Sequence, residues 1–184
     1  KYRTPAYCYS YKQLKTNNYN FKKSFKSFSP LICFAIKSNT NANLIREIKK
    51  LGLGADVVSL GELMLALKAG VNRKKIVFSG VGKTSNEISY AIDKRILLIN
   101  AESENEIKEI NRIAKLKKKK IQIGIRLNPN TDAKTLKQIS TGKKENKFGV
   151  DEKTFLKLIK YCKNSKNIDL KCLSVHIGST ILDY

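Results

Sequence analysis

The chain has 184 residues, 41% of them hydrophobic, and a formal net charge of +22 at pH 7. This apolar content excludes a disordered chain and predicts one domain with a single buried core. No run approaches the ~18 consecutive apolar residues of a membrane-spanning helix, and the N-terminus lacks the apolar segment of a secretory signal, so we expect a cytoplasmic protein with no membrane partner.

The first 29 residues are predicted to form an N-terminal strand and helix. Residues 4–9 are a short apolar stretch, and a helical pattern covers residues 11–28. From residue 30 onwards, short β-branched runs alternate with amphipathic segments, which is typical of a parallel βαβα sheet. Strands are predicted at 31–36, 55–58, 75–78, 96–99, 121–127 and 170–177, with helices at 43–51, 61–69, 87–93, 104–116 and 155–162.

This spacing predicts an α/β fold, a partial (β/α)8 TIM-type barrel over residues 30–184 with about six of the eight strands present. A finished barrel takes about 250 residues, which exceeds this length. A complete open doubly wound sheet is the alternative. The chain begins without Met and stops at Tyr184 just after a predicted strand, so we expect a fragment.

Polar side chains stand where the predicted strands end. In βα barrels the functional groups lie at these carboxyl ends, because the βα loops build one common face. The positions hold Lys37, Asp56, Ser59, Gly80, Asn100, Arg126, His176 and Ser179. Lys37 follows a buried apolar run, where desolvation favours the neutral amine that Schiff-base formation requires. Position alone does not decide this, since 37 of the 184 residues are Lys or Arg.

The high positive charge raises the alternative of a polyanion-binding module. The basic residues are scattered along the chain, the one dense run is 117–120, and no aromatic side chains are interleaved for base stacking. We therefore do not expect a nucleic-acid partner. A polyanion-binding protein would lose affinity steeply with salt and would tolerate Lys37→Ala. The four cysteines lack CxxC spacing, which predicts structural thiols and no metal site.

Residues 80–84 (GVGKT) follow a predicted strand and precede a helix, as a phosphate-binding loop does. The full nucleotide-binding pattern requires Gly at the position of Val77. That difference removes the backbone turn around the phosphates, so an NTPase is not favoured.

Six short segments, in the same order along the chain, resemble the strand-end motifs of the alanine-racemase-like pyridoxal-phosphate (PLP) decarboxylases. They are 34–39 (FAIKSN), 54–59 (GADVVS), 78–80 (FSG), 99–103 (INAES), 126–129 (RLNP) and 176–179 (HIGS). Residues 139–142 (ISTG) and 145–149 (ENKFG) are similar to the diaminopimelate decarboxylases in particular. The chain departs from that pattern at 136–138, where the family has His-Pro-Tyr, and at Val81, where Asn is common.

The resemblance implies a role for each of five residues. Lys37 would carry PLP as a Schiff base, and His176 would stack on the pyridine ring. Ser179 would hydrogen-bond the cofactor phosphate, while Asp56 and Arg126 would surround Lys37 and the phenolic oxygen of the cofactor. No metal is implied.

The implied reaction is decarboxylation of meso-2,6-diaminopimelate to L-lysine and CO2, the last step of lysine biosynthesis. The resemblance also implies a homodimer with shared active sites. The C-terminal β domain and the proton donor of the family would lie beyond Tyr184, so this chain alone is expected to be inactive. A PLP decarboxylase of the ornithine or arginine type, or a racemase, is the nearest alternative.

Overall fold

The computed structural model describes residues 3–131 and 148–179. Six strands form one parallel sheet: β1 (Cys33–Ala35), β2 (Gly54–Val57), β3 (Ile76–Phe78), β4 (Leu98–Ala101), β5 (Ile121–Leu127) and β6 (Ile168–Val175). The helices are α1 (Tyr11–Ser24), α2 (Ala42–Lys50), α3 (Leu60–Lys68), α4 (Ser85–Lys94), α5 (Glu104–Leu116) and α6 (Glu152–Lys163), with 3-10 turns at Ile36–Ser38 and Arg73–Lys75.

Each strand pairs in parallel with the next strand along the chain, from β1 to β6. A doubly wound sheet reverses its strand order at a switch point, so that alternative is wrong. Sequential order with a helix between successive strands is the connectivity of a βα barrel. β1 and β6 do not pair with each other within the described residues, so the sheet is open and the barrel is partial.

A capping side chain stands at the start of each helix that follows a strand. Ser59 accepts a hydrogen bond from the backbone N–H of Glu62 at the start of α3, and Ser103 does the same for Glu106 in α5. Thr84 and Glu87 form a reciprocal capping box at the start of α4. Such caps satisfy backbone donors that otherwise lack partners, and they fix where each helix leaves the rim of the sheet.

The core lies between the sheet and the faces of α2 to α6. Its helical residues recur every three or four positions, which places them on one face of each helix. In α5 these residues are Ile107, Ile110, Ile113 and Ala114. β4 is buried at all four of its positions, as expected of a parallel strand covered on both faces.

The N-terminal segment differs from the prediction. The expected strand within residues 4–9 is wrong, because residues 3–10 have no strand assigned and pair with none of the six strands. A strand exists only where a second strand accepts its hydrogen bonds. The predicted helix forms but ends at Ser24, and none of its residues is buried.

Other differences concern boundaries. β1 ends at Ala35, so Lys37 lies in a 3-10 turn after the strand. Most of the predicted loop 128–147, including the motif at 139–142 and the departure at 136–138, lies outside the described residues. In the part of the chain that the structure describes, no helix is long and apolar enough to cross a membrane.

Two glycines test the packing of the first strands. A Cβ at Gly54 in β2 would overlap the carbonyl oxygen of Lys75 and lie 2.8 Å from the Cys33 sulfur. We expect Gly54→Ala to lower the free energy of unfolding by about 1–3 kcal/mol, as overpacking does. Gly61 near the start of α3 has no such neighbour, so Gly61→Ala should be neutral or stabilising by about 0.5–1 kcal/mol. Urea unfolding of the two variants measures both, and equal effects would contradict the packing argument.

Candidate active site

A cavity of about 320 Å³ lies at the carboxyl ends of the strands, and residues in or just after all six strands line it. The lining residues are Cys33, Lys37, Asp56, Val58, Val77, Ser79, Gly80, Asn100, Glu102, Arg126, Phe148, Ser174, Val175 and His176. Four of the five predicted site residues therefore meet here. Ser179 is not among the lining residues and follows His176 by three positions. A larger cavity of about 660 Å³ between α3 and α4 has a mainly apolar wall and collects no such set of groups.

Asp56 accepts a hydrogen bond from Ser79, and Ser79 is in turn held by Asn100 on β4. The Ser79 hydroxyl donates to Asp56 Oδ1 at 2.6 Å, and Asn100 Nδ2 donates to Ser79 Oγ at 3.2 Å. Burial raises the pKa of the Asp56 carboxyl, although the Ser79 hydrogen bond and the positive charge of Lys37 oppose the rise. The carboxylate is thus kept partly desolvated within electrostatic reach of the Lys37 amine, where its charge acts through a low dielectric.

Asn100 is one of two buried polar residues in the described part of the chain. Its Oδ1 atom has no hydrogen-bond partner there. A Cβ at Gly124 would overlap this oxygen, so glycine at that position on β5 makes room for the amide. An unsatisfied buried acceptor costs about 1–3 kcal/mol. The amide therefore orients Ser79, and through it Asp56, at a cost in stability.

Arg126 is fixed by contacts on several sides. Its Nη1 lies 3.0 and 3.2 Å from the two oxygens of Glu102, and its Nη2 donates to the backbone oxygen of His176 at 3.4 Å. The guanidinium also lies 4.8 Å from the centre of the Phe148 ring, within the range of a cation–π contact. The arginine side chain is 11% exposed and the glutamate side chain 3% exposed, so the ion pair is buried.

Burial is the main cause of the pKa shifts of both His176 and Cys33, but it lowers the first pKa and raises the second. Partial burial, together with the charge of Arg126, lowers the pKa of His176 below 6.5, so its planar ring is neutral at pH 7. Burial and the nearby Asp56 raise the pKa of Cys33 to about 11. The Cys33 thiol therefore stays protonated and is not a nucleophile.

The sequence did not single out Ser79 or Glu102 as site residues. The available signal was spacing: Glu102 stands two positions after Asn100, and alternate residues of an extended segment share a face. Which strand-end groups pair with each other depends on the register between β4 and β5, which places Asn100 opposite Gly124. Short motifs do not encode that register.

Lys83, the lysine of the segment that resembles a phosphate-binding loop, is already occupied. Its amine donates to the backbone oxygens of Gly80 at 2.5 Å and Asn100 at 2.7 Å, and it forms an ion pair with Glu106 at 2.7 Å. The Lys83 side chain is 1% exposed. An amine buried with three acceptors is not available to nucleotide phosphates, which removes the NTPase alternative.

The described residues contain no group of three or more His, Cys, Asp or Glu side chains that could hold a metal ion. The candidate site is thus one of amine, imidazole, guanidinium and carboxylate groups. Such a set can bind an anionic, aldehyde-bearing molecule covalently through Lys37 and electrostatically through the remaining groups.

Comparison with known proteins gives consistent matches. A family model described as "Pyridoxal-dependent decarboxylase, pyridoxal binding domain" matches residues 11–184. The diaminopimelate decarboxylase of Helicobacter pylori strain J99 is 47% identical over 182 residues, which is 99% of this chain and 45% of that protein. That of Aquifex aeolicus is 43% identical over 180 residues, 98% of this chain and 42% of that protein. The chain spans about half the length of these relatives.

Solved structures agree with the sequence comparison. The Helicobacter pylori diaminopimelate decarboxylase complexed with L-lysine superposes with a TM-score of 0.96 at 46% identity, over 99% of this chain and 46% of that one. An arginine decarboxylase from a Chlorella virus shares the fold at 21% identity and a TM-score of 0.68, over 92% of this chain and 44% of that one. The predicted partial TIM-type barrel and the predicted family are confirmed.

The raised pKa of Asp56 predicts that ionising this carboxyl lowers the free energy of unfolding in a pH-dependent way. The folded chain binds more protons than the unfolded chain above about pH 3.8, the ordinary Asp value, so the free energy of unfolding falls as pH rises from there through the folded pKa. We expect Asp56→Asn to flatten this fall and to leave the unloaded protein as stable as wild type, or more so, near pH 7. Urea unfolding across that pH range measures it.

Asp93 serves as a control, because its pKa is shifted in the opposite direction to that of Asp56. Hydrogen bonds from Lys117 and Lys119 lower the pKa of its carboxyl, so its contribution to stability is present above the ordinary Asp range and is lost as pH falls. Asp93→Asn should remove that loss. If the free energy of unfolding of Asp56→Asn fell with rising pH as steeply as that of wild type, Asp56 would not be the cause of the fall.

Proposed function

Because the chain belongs to the pyridoxal-dependent decarboxylases, we propose that its protein decarboxylates meso-2,6-diaminopimelate to L-lysine and CO2, with PLP as cofactor, in lysine biosynthesis. The observation that carries the proposal is the meeting of Lys37 with Asp56, Arg126 and His176 around one cavity. The choice of substrate rests on relatives that are 38–47% identical over this chain and are named diaminopimelate decarboxylases.

The residues present fit PLP. The cofactor brings an aldehyde, which a lysine amine can capture, together with anionic oxygens and a flat aromatic ring. The cavity offers the Lys37 amine, the Arg126 cation and the planar ring of His176. Its volume of about 320 Å³ falls at the small end of the usual range for ligand sites, about 300–1,000 Å³.

The residues have separate roles in this proposal. Lys37 would hold the cofactor covalently through its side-chain amine. Asp56 favours the protonated state of nitrogen atoms next to it, since a desolvated carboxylate interacts strongly with a cation. His176 would present its flat, neutral ring to the pyridine ring, Arg126 would balance the phenolic oxygen and Ser179 would bind the phosphate. PLP, when bound, accepts the electron pair left by the departing carboxylate.

The setting of the reaction is also proposed from the resemblance. The protein would act in the cytoplasm as a homodimer whose subunits share active sites. Residues 1–29 would lead into the barrel domain of residues 30–184. Because the relatives are about twice as long as the matched region, activity is to be tested on the complete gene product.

The first test is replacement of Lys37. After incubation with PLP and borohydride reduction, we expect a mass increase on the peptide that carries Lys37 in wild type and none on the matching peptide of Lys37→Ala. We also expect CO2 release from meso-diaminopimelate to fall in Lys37→Ala by about 10³-fold or more, the scale seen when a covalent catalytic group is removed. Mass spectrometry of the peptide and a CO2 assay measure the two effects.

Lys50→Ala is the matched control, because Lys50 is an exposed lysine on α2 that pairs only with Glu47 in the described residues. It should keep full labelling and activity. The same assay with ornithine, arginine and single enantiomers of amino acids separates the substrate alternatives. Faster turnover of any of these than of diaminopimelate would contradict the proposed substrate, and a wild-type Lys37 peptide without the mass increase would contradict the cofactor site.

A further inference from the structure

Glu102 has no role in the function proposed above, yet it is one of the most constrained charged groups in the described residues. It is 4% exposed as a whole residue. Glutamate is almost never buried to this degree unless it is paired. Its carboxylate lies against Arg126 Nη1 with both oxygens, at 3.0 and 3.2 Å.

The backbone of Glu102 is anchored independently of its side chain. Its N–H donates to Glu106 Oε2 at 2.9 Å, while the other oxygen of Glu106 pairs with Lys83 at 2.7 Å. Lys83 also holds the backbone oxygen of Asn100. The end of β4 is therefore clamped on both sides of Ala101, which sets the direction in which the Glu102 side chain leaves the strand.

Arg126 depends on this carboxylate for charge balance. A guanidinium stays protonated in proteins, so it cannot lose its charge when buried. In the described residues Glu102 supplies the carboxylate that pairs with Arg126. The other contacts of the guanidinium are the His176 backbone oxygen and the Phe148 ring, and neither carries a charge. Removing one partner of a buried pair leaves an uncompensated charge.

We propose that Glu102 is a positioning residue of the active site, which orients the Arg126 guanidinium and neutralises its charge beside Lys37 and His176. The part of this inference that concerns PLP rests on the proposed function. In the part of the chain that the structure describes, the titratable and charged groups that face the same cavity are Cys33, Lys37, Asp56, Glu102, Arg126 and His176. Lys83, which is paired with Glu106, donates to the backbone of two further lining residues, Gly80 and Asn100.

The test uses opposite changes of charge. Glu102→Gln removes the negative partner, and Arg126→Gln removes the positive one. The pKa of His176 responds to both, since Arg126 lowers it and Glu102 raises it. We expect it to fall in Glu102→Gln, to rise in Arg126→Gln and to return towards the wild-type value in the double variant. A purely structural role would move both single variants in the same direction.

The first measurement is an NMR titration of the unloaded full chain. His176 is the one histidine among the 184 residues, and its signal is assigned by its loss in His176→Asn. The control is Glu104→Gln, which removes the same charge two residues along, where Glu104 pairs with exposed Lys108 and Lys157. This control should leave the His176 titration unchanged.

The second measurement follows the visible absorption of bound PLP against pH. In Glu102→Gln the absorption change should move to lower pH by about one unit, a tenfold change in proton affinity, as expected when an opposite charge is removed from a site. Glu104→Gln should not shift it. Restoration by Glu102→Asp would agree with a charge that acts at this place.

The outcomes are separable. The role of Glu102 is overturned if the pKa of His176 does not change in Glu102→Gln and Arg126→Gln, or if it moves in the same direction in both. If Glu102→Gln does not fold, the expected rise in Arg126→Gln decides, and no rise overturns the proposal. Failure of wild type to bind PLP at Lys37 would instead overturn the proposed function, because the titration of unloaded protein does not require the cofactor.

Discussion

Parallel strand connectivity is the constraint on which the rest of this structure depends. Each strand pairs with its successor and each crossover returns the chain to the same edge, so every strand delivers its last residue to one rim. Lys37 and His176 are separated by most of the chain, yet they line the same cavity. The caps at Ser59, Thr84 and Ser103 define where the helices begin above this rim. The rim can therefore hold chemically active groups without contributing to the core below it.

Charges brought together in this way have to be balanced within the site. Among the described residues, two cationic side chains and one imidazole face the cavity, together with the carboxylates of Asp56 and Glu102. The two carboxylates are not equivalent. Glu102 is paired at hydrogen-bond distance with a guanidinium, whereas Asp56 receives its short hydrogen bond from a neutral hydroxyl. The first arrangement holds a cation in place, and the second keeps an anion available to the Lys37 nitrogen. The orphaned oxygen of Asn100 and the desolvated Asp56 show that stability is given up here for placement.

The sequence predicted the order of strands and helices well, because each core-facing pattern has its own period and each strand is followed by a polar residue. It also led to Lys37, Asp56, Arg126 and His176, since position at a strand end and motif agree there. The links between these residues were not predictable. That Ser79 lies against Asp56, or Glu102 against Arg126, follows from the parallel register and from side-chain packing. The N-terminal strand was wrong for a related reason, because an apolar stretch does not specify the partner that a strand needs.

Lys83 shows why a local pattern does not determine chemistry. In a nucleotide-binding loop a lysine in this setting points its amine at phosphates, and glycine-rich backbone wraps them. Here the same residue types follow β3, but the amine is turned inward to two carbonyl oxygens and the Glu106 carboxylate. Since an ammonium has three protons to donate, these three acceptors use its full capacity. Lys83 therefore ties the loop after β3 to the end of β4, and that tie fixes the strand end from which Glu102 reaches Arg126. A segment that resembles a phosphate-binding loop in the sequence thus supports, in this fold, the strand end that carries Glu102.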